Sequence, residues 1–129
     1  MSTTVNDLVA AARRVIHEVD AAGLAARSGT ASVLIDVREP HEYAAGHLPG
    51  AINLPRGVLE FQIDAHPAMA CTTSPALAER SRPLLVYCLS GGRSALAAES
   101  LQRLGFTRVE SLAGGYRAWC EAGHPVTSG

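Results

Sequence analysis

The sequence predicts an α/β fold: one domain built on a mostly parallel central sheet flanked by helices. Three observations predict it. SVLIDV (32–37) and PLLVYC (83–88) are short apolar runs bounded by turn formers, the pattern of strands buried on both faces of a parallel sheet. Segments with apolar residues at helical spacing lie around them, and strands that alternate with helices imply crossover connections and parallel pairing. The chain has 129 residues, room for one domain with a continuous core and little else.

Taken in order, VNDLVAAARR (5–14) has helical spacing, with Thr4 and Asp7 three apart as a capping pair. VIHEV (15–19) either prolongs that helix or forms a short strand, and pattern alone does not decide. Asp20 is placed to cap a second helix, AAGLAAR, which Ser28 and Gly29 stop. After the SVLIDV strand, EPHEYAAG puts proline near the start of a helix and glycine after its end. AINL (51–54) and TRVESL (107–112) are weaker strand candidates. PRGVLEFQI, SPALAERS and SALAAESLQRLG are further helical candidates, and DAHPAMACTTSP (64–75) is the longest expected loop. The wider stretch FQIDAHPAMACTTSP exceeds a tight connection and is long enough to rim or cover a site.

Composition excludes several function classes. Apolar residues make up 47%, charged ones 18%, and the formal net charge is -1, so nothing points to nucleic acid or an anionic membrane. No apolar stretch approaches the roughly 18 residues that span a bilayer. The first twenty residues carry Asp7, Arg13 and Arg14 and do not read as a secretory signal, so the expected location is cytoplasmic. Three cysteines, Cys71, Cys88 and Cys120, are too few for a disulfide scaffold and are not spaced as a metal knuckle.

Chemistry concentrates at YCLSGGRS (87–94). Ligands of open α/β sheets bind beyond the carboxyl ends of strands, and Cys88 ends the most apolar strand. Leu89, Ser90, Gly91, Gly92 and Arg93 must then turn before the next helix, and the two glycines free the backbone for that turn. A loop curled around the sulfur points its amides inward, and with the helix N-terminus these favour a thiolate over a thiol. A cysteine at a strand end is ordinarily a small buried hydrophobe; the glycines, arginine and helix start around Cys88 favour chemistry instead. Cys120 has no such company and reads as packing, while Cys71 reads as a bystander or a resolving thiol. Cysteine phosphatases carry five residues between cysteine and arginine, around a tetrahedral phosphate. Cys88 and Arg93 have only LSGG between them, a smaller cradle that suits one extra sulfur atom better.

Three motifs, LIDVREPHEYAAGHLPGAINLP (34–55), YCLSGGRS (87–94) and LAGGYRAWCEAGHPV (112–126), make the chain resemble the rhodanese-like sulfurtransferases in their single-domain bacterial form. The resemblance covers roughly residues 15 to 126. It implies a rhodanese-like domain over 15–129 with VIHEV as its first strand, leaving 1–14 as an N-terminal helical extension. It further implies a sulfane sulfur moved, without a metal or organic cofactor, from thiosulfate or another persulfide donor to a thiol, a protein acceptor or cyanide; a non-catalytic regulatory or interaction module on the same fold is the alternative reading. Cys88 would be the catalytic nucleophile, and the amides of residues 89 to 93 would cradle the terminal sulfur of its persulfide. Asp36, Arg38 and Ser94 are possible supporting residues, with Asp36 bonding loop amides and Arg38 pairing with Glu42 as the structural reading. Arg93 either binds an anionic donor or braces the loop through backbone carbonyls. His47 and Trp119 read as structural. Where some thiosulfate-using members place basic residues, directly after the cysteine, this chain has Leu89 and Ser90.

Overall fold

The structure, a computed structural model, describes residues 2–27, 32–66 and 79–129. Helix α1 spans Val5–Arg13. Its expected capping box forms: Thr4 accepts from the Asp7 amide at 3.2 Å and donates its own amide to the Asp7 carboxylate at 2.9 Å. The chain then leaves the helix and enters strand β1, His17–Val19, so VIHEV divides between a turn and a strand. Asp20 caps α2, Ala21–Ala25, by accepting from the Gly23 amide at 2.7 Å. Strand β2 (Val33–Asp36), helix α3 (Pro40–Ala45) and the short strand β3 (Ile52–Asn53) follow. PRGVLEFQI forms a 3-10 turn, the helix α4 (Leu59–Gln62) and a second 3-10 turn. Strand β4 (Leu84–Tyr87), helix α5 (Gly92–Arg103), strand β5 (Val109–Leu112) and helix α6 (Gly115–Glu121) complete the order. Most of SPALAERS, most of the expected loop and Cys71 lie outside the described residues; residues 80 and 81 are a turn leading towards β4.

The five strands form one sheet in the order β1-β5-β4-β2-β3, with every pairing parallel. This is the predicted α/β architecture. From β2 the chain moves outward to β3, then returns past β2 to β4 and continues the other way to β5. The carboxyl ends of β2 and β4 therefore form the point where the winding direction reverses, the usual place for a ligand in such sheets.

Alternation along the strands divides the core into two layers. Ile35, Val37, Leu84, Val86, Cys88 and Val109 face α1, α4 and α5. Leu85, Tyr87 and Leu112 face α2, α3 and α6, where Leu24 and Trp119 cover them. All four residues of β4 are buried, and each apolar side chain so buried contributes roughly 1.5–3 kcal/mol. Trp119 anchors α6 in the core as expected, and its indole donates to the Pro125 carbonyl at 2.8 Å. Cys120, expected to pack, is exposed; Gly115 and Trp119 are the buried residues of α6, and the helical turn carries the next residue around to solvent.

Candidate functional site

Cys88 follows the last residue of β4 and is 1% exposed. The chain turns immediately, and Gly91 takes φ +114 to enter α5, a conformation closed to most side chains. The turn brings two amides onto the sulfur: Gly91 donates to Cys88 Sγ at 3.1 Å and Ser94 at 3.4 Å. Within the 89–93 segment the Gly91 amide makes this contact, and Ser94 beyond it supplies the second. Both donors lie at the start of α5, where unpaired amides and the helix dipole favour negative charge.

A buried hydroxyl pair lies behind the sulfur. Cys88 Sγ is 3.6 Å from Ser94 Oγ, which donates to the Gly91 carbonyl at 3.2 Å and sits 2.9 Å from Ser111 Oγ on β5. Ser94 and Ser111 are both fully buried. Ser94 thus touches the thiol through amide and hydroxyl alike. Ser111 escaped the sequence reading; its only signal is a hydroxyl at the alternate position from Val109 in TRVESL, on the face turned away from Glu110.

The turn after β5 holds the other side of the loop. The Tyr116 amide donates to the Cys88 carbonyl at 2.8 Å and the Arg117 amide to the Leu89 carbonyl at 3.0 Å. Gly115, at φ +62, permits that approach: a Cβ there would lie 2.6 Å from both carbonyl oxygens. Gly115→Ala is expected to destabilise the protein by about 2–4 kcal/mol, combining left-handed strain with overpacking. Gly57→Ala, where nothing lies within 4 Å, should stay within about 0.5 kcal/mol of wild type. Urea melts of both variants check this, and equal midpoints would refute it.

Arg93 neither meets a backbone carbonyl nor points free. Its guanidinium forks onto Glu42 at 2.9 and 3.2 Å, tying α5 to α3. The expected Arg38–Glu42 pair is therefore replaced. Arg38 precedes α3, so the four-residue spacing to Glu42 does not place the two on one helix face. Arg38 turns back onto Asp36, with Nη2 to Oδ2 at 2.6 Å and Nε to Oδ1 at 3.0 Å. The Asp36 carboxylate also accepts the Arg38 backbone amide at 2.9 Å, which agrees with its expected role in a turn. Arg38 reaches the Gly46 carbonyl at 2.7 Å and lies 4.2 Å from the centre of the Tyr116 ring. Asp36 pairs in register with Tyr87, on the sheet face opposite Cys88, so this pair shapes the loop's surroundings without touching the sulfur.

His47 is structural as expected: its Nδ1 lies 2.8 Å from the Tyr43 carbonyl and its ring stacks on Tyr43. The fork from Arg93 is the chief cause that draws Glu42 down to about 2, against burial, with the Glu39 amide assisting. Because the folded value lies below the ordinary 4.5, Glu42's contribution to stability is complete above about pH 4.5 and is lost as pH falls towards about 2. Unfolding free energies measured across that window should fall more steeply for wild type than for Glu42→Gln; parallel curves would refute the assignment.

Among the described residues no group of three or more His, Cys, Asp or Glu could hold a metal ion, and no helix is long and apolar enough to cross a membrane.

The family model of the rhodanese-like domain matches residues 20–122. The chain belongs to the rhodanese-like family. It is 30% identical over 116 residues to a sulfurtransferase of Allochromatium vinosum, covering 88% of this chain and 97% of that one. It is 39% identical over 95 residues to thiosulfate sulfurtransferase 16, chloroplastic, of Arabidopsis thaliana, covering 71% and 77% respectively. A solved structure from Rhodopseudomonas palustris, described as a protein of unknown function and possible tyrosine phosphatase, superposes with a TM-score of 0.81 at 30% identity over 98% of this chain and 96% of that one. This rhodanese-like chain is accordingly a sulfurtransferase of its family, which moves sulfur from a donor to an acceptor.

Proposed function

We propose that Cys88 carries the transferred sulfur as a persulfide, with thiosulfate or another persulfide as donor and a thiol or cyanide as acceptor. The observation that carries this reading is the sulfur itself, hydrogen-bonded at once by the Gly91 and Ser94 amides at the start of a helix. In the first step the Cys88 thiolate attacks the outer sulfur of thiosulfate. A new S–S bond forms, the old one breaks, and sulfite leaves with the electron pair. In the second step a thiolate or cyanide attacks the terminal sulfur, leaving with it as a persulfide or thiocyanate and returning the Cys88 thiolate. Charge on the transferred sulfur is met by donors already in place, which need no reorganisation. No cofactor is called for, and a cytoplasmic setting supplies the free thiols.

The phosphatase description of the R. palustris structure belongs to that protein. Here only four residues separate Cys88 from Arg93, and Arg93 is engaged by Glu42, so the loop offers less to a tetrahedral phosphate. Intact-protein mass spectrometry after incubation with thiosulfate tests the proposal. A gain of one sulfur atom, removed by cyanide, is expected; no gain with thiosulfate or glutathione persulfide, or turnover of an aryl phosphate, would overturn it.

A further inference from the structure

Helix α1 lies outside the residues that match the family, yet it backs the Cys88 loop. A Cβ on Gly91 would lie 3.2 Å from Arg13 Nη2, and one on Gly92 would lie 3.8 Å from Val9 Cγ2. Both loop glycines therefore abut side chains of α1. Gly91 is also the residue whose amide donates to Cys88 Sγ at 3.1 Å. Those two contacts, joined through one residue, hold the Arg13 guanidinium within about 9 Å of the sulfur. Arg13 Nε makes a long 3.8 Å approach to Glu18, and its side chain stays 46% exposed. One edge of the fork thus faces an acid while Nη2 faces the loop.

Two of the other cations near the loop are committed, while Arg117, whose backbone amide bonds the Leu89 carbonyl, has an exposed side chain. Arg93 is forked onto Glu42, and Arg38 is buried against Asp36. Leu89 and Ser90, directly after the cysteine, carry no charge.

We propose that Arg13 is a specificity-determining residue of the Cys88 site, supplying from the N-terminal helix a positive charge that favours an anionic sulfur donor. The proposal rests on the reading of Cys88 as the nucleophile. Arg13 acts through its field on the approaching anion and takes no part in bond making. A unit charge at that distance, close to one Debye length at physiological ionic strength, alters the approach of an anion about two- to five-fold.

Alkylation separates this effect from sulfur chemistry. The rates at which anionic iodoacetate and neutral iodoacetamide modify Cys88 are measured on the folded protein by following the Cys88 peptide in the mass spectrometer. Arg13→Gln is expected to lower the iodoacetate-to-iodoacetamide ratio about two- to five-fold, Arg13→Lys to preserve it, and high salt to erase the difference. With thiosulfate, Arg13→Gln should raise KM and leave kcat nearly unchanged. A ratio that does not move in Arg13→Gln, or a Cys88 that neither reagent reaches, would overturn the assignment. Failure of the wild type to gain sulfur from any donor overturns the function reading instead, and leaves the alkylation ratio to be read on its own.

Discussion

Cys88→Ser is expected to abolish the gain of a sulfur atom from thiosulfate and to lower turnover by more than about 10³-fold while the fold survives. The loss follows from nucleophilicity: a hydroxyl needs an adjacent base to act at neutral pH, and the groups bonded to Cys88 Sγ are the Gly91 and Ser94 amides and the Ser94 hydroxyl, none of which is a base. The fold survives for the same reason, because a serine oxygen accepts those two amides as readily as sulfur does. Losses of the order of 10³ or more accompany removal of a nucleophile in other covalent enzymes. Intact mass and thiocyanate release read the chemistry, and a thermal melt reads the fold. A serine variant that still takes up cyanide-labile sulfur would move the nucleophile to another cysteine.

Asp36→Ala is expected to be the most destabilising single change outside the loop. Asp36 is fully buried and Arg38 is 3% exposed, and the carboxylate holds both the guanidinium and the backbone amide that starts the turn towards α3. Removing it leaves a buried cation with the Gly46 carbonyl and the Tyr116 and Tyr87 rings as remaining partners. Breaking one side of such a pair costs about 3–5 kcal/mol, a large fraction of the 5–15 kcal/mol typical of a domain. The melting temperature should fall by roughly 10–20 °C. Removing both partners with apolar residues of similar size should cost less, since no unpaired charge remains. Urea unfolding decides the matter: a single variant within about 1 kcal/mol of wild type would mean that water reaches Arg38.

The strongest sequence signals survive in the structure because they are local. SVLIDV and PLLVYC are strands whose neighbours bury both faces, and the capping pairs at Thr4 and Asp20 form as written. Cys120 departs from expectation because helical spacing names a face without saying which face the sheet covers. The short β3, two residues long, is held by Asn53, whose side-chain amide donates to the Asp36 and Arg38 carbonyls at 2.9 Å. Nothing in AINL announces that bond.

By itself the sequence determined the alternation of strand and helix, the parallel sheet it implies, and the placing of Cys88 at a strand end before two glycines and a helix. These follow from periodicity and backbone stereochemistry, which act over a few neighbouring residues. Tertiary structure decided which charges meet. Arg93 takes Glu42 from 51 positions away, Arg38 takes Asp36, Ser94 meets Ser111, and Arg13 reaches Gly91 from a helix at the start of the chain. An ion pair or a hydrogen bond is set by distance in space, and only the sheet order and the crossing of α1 over α5 bring those atoms together.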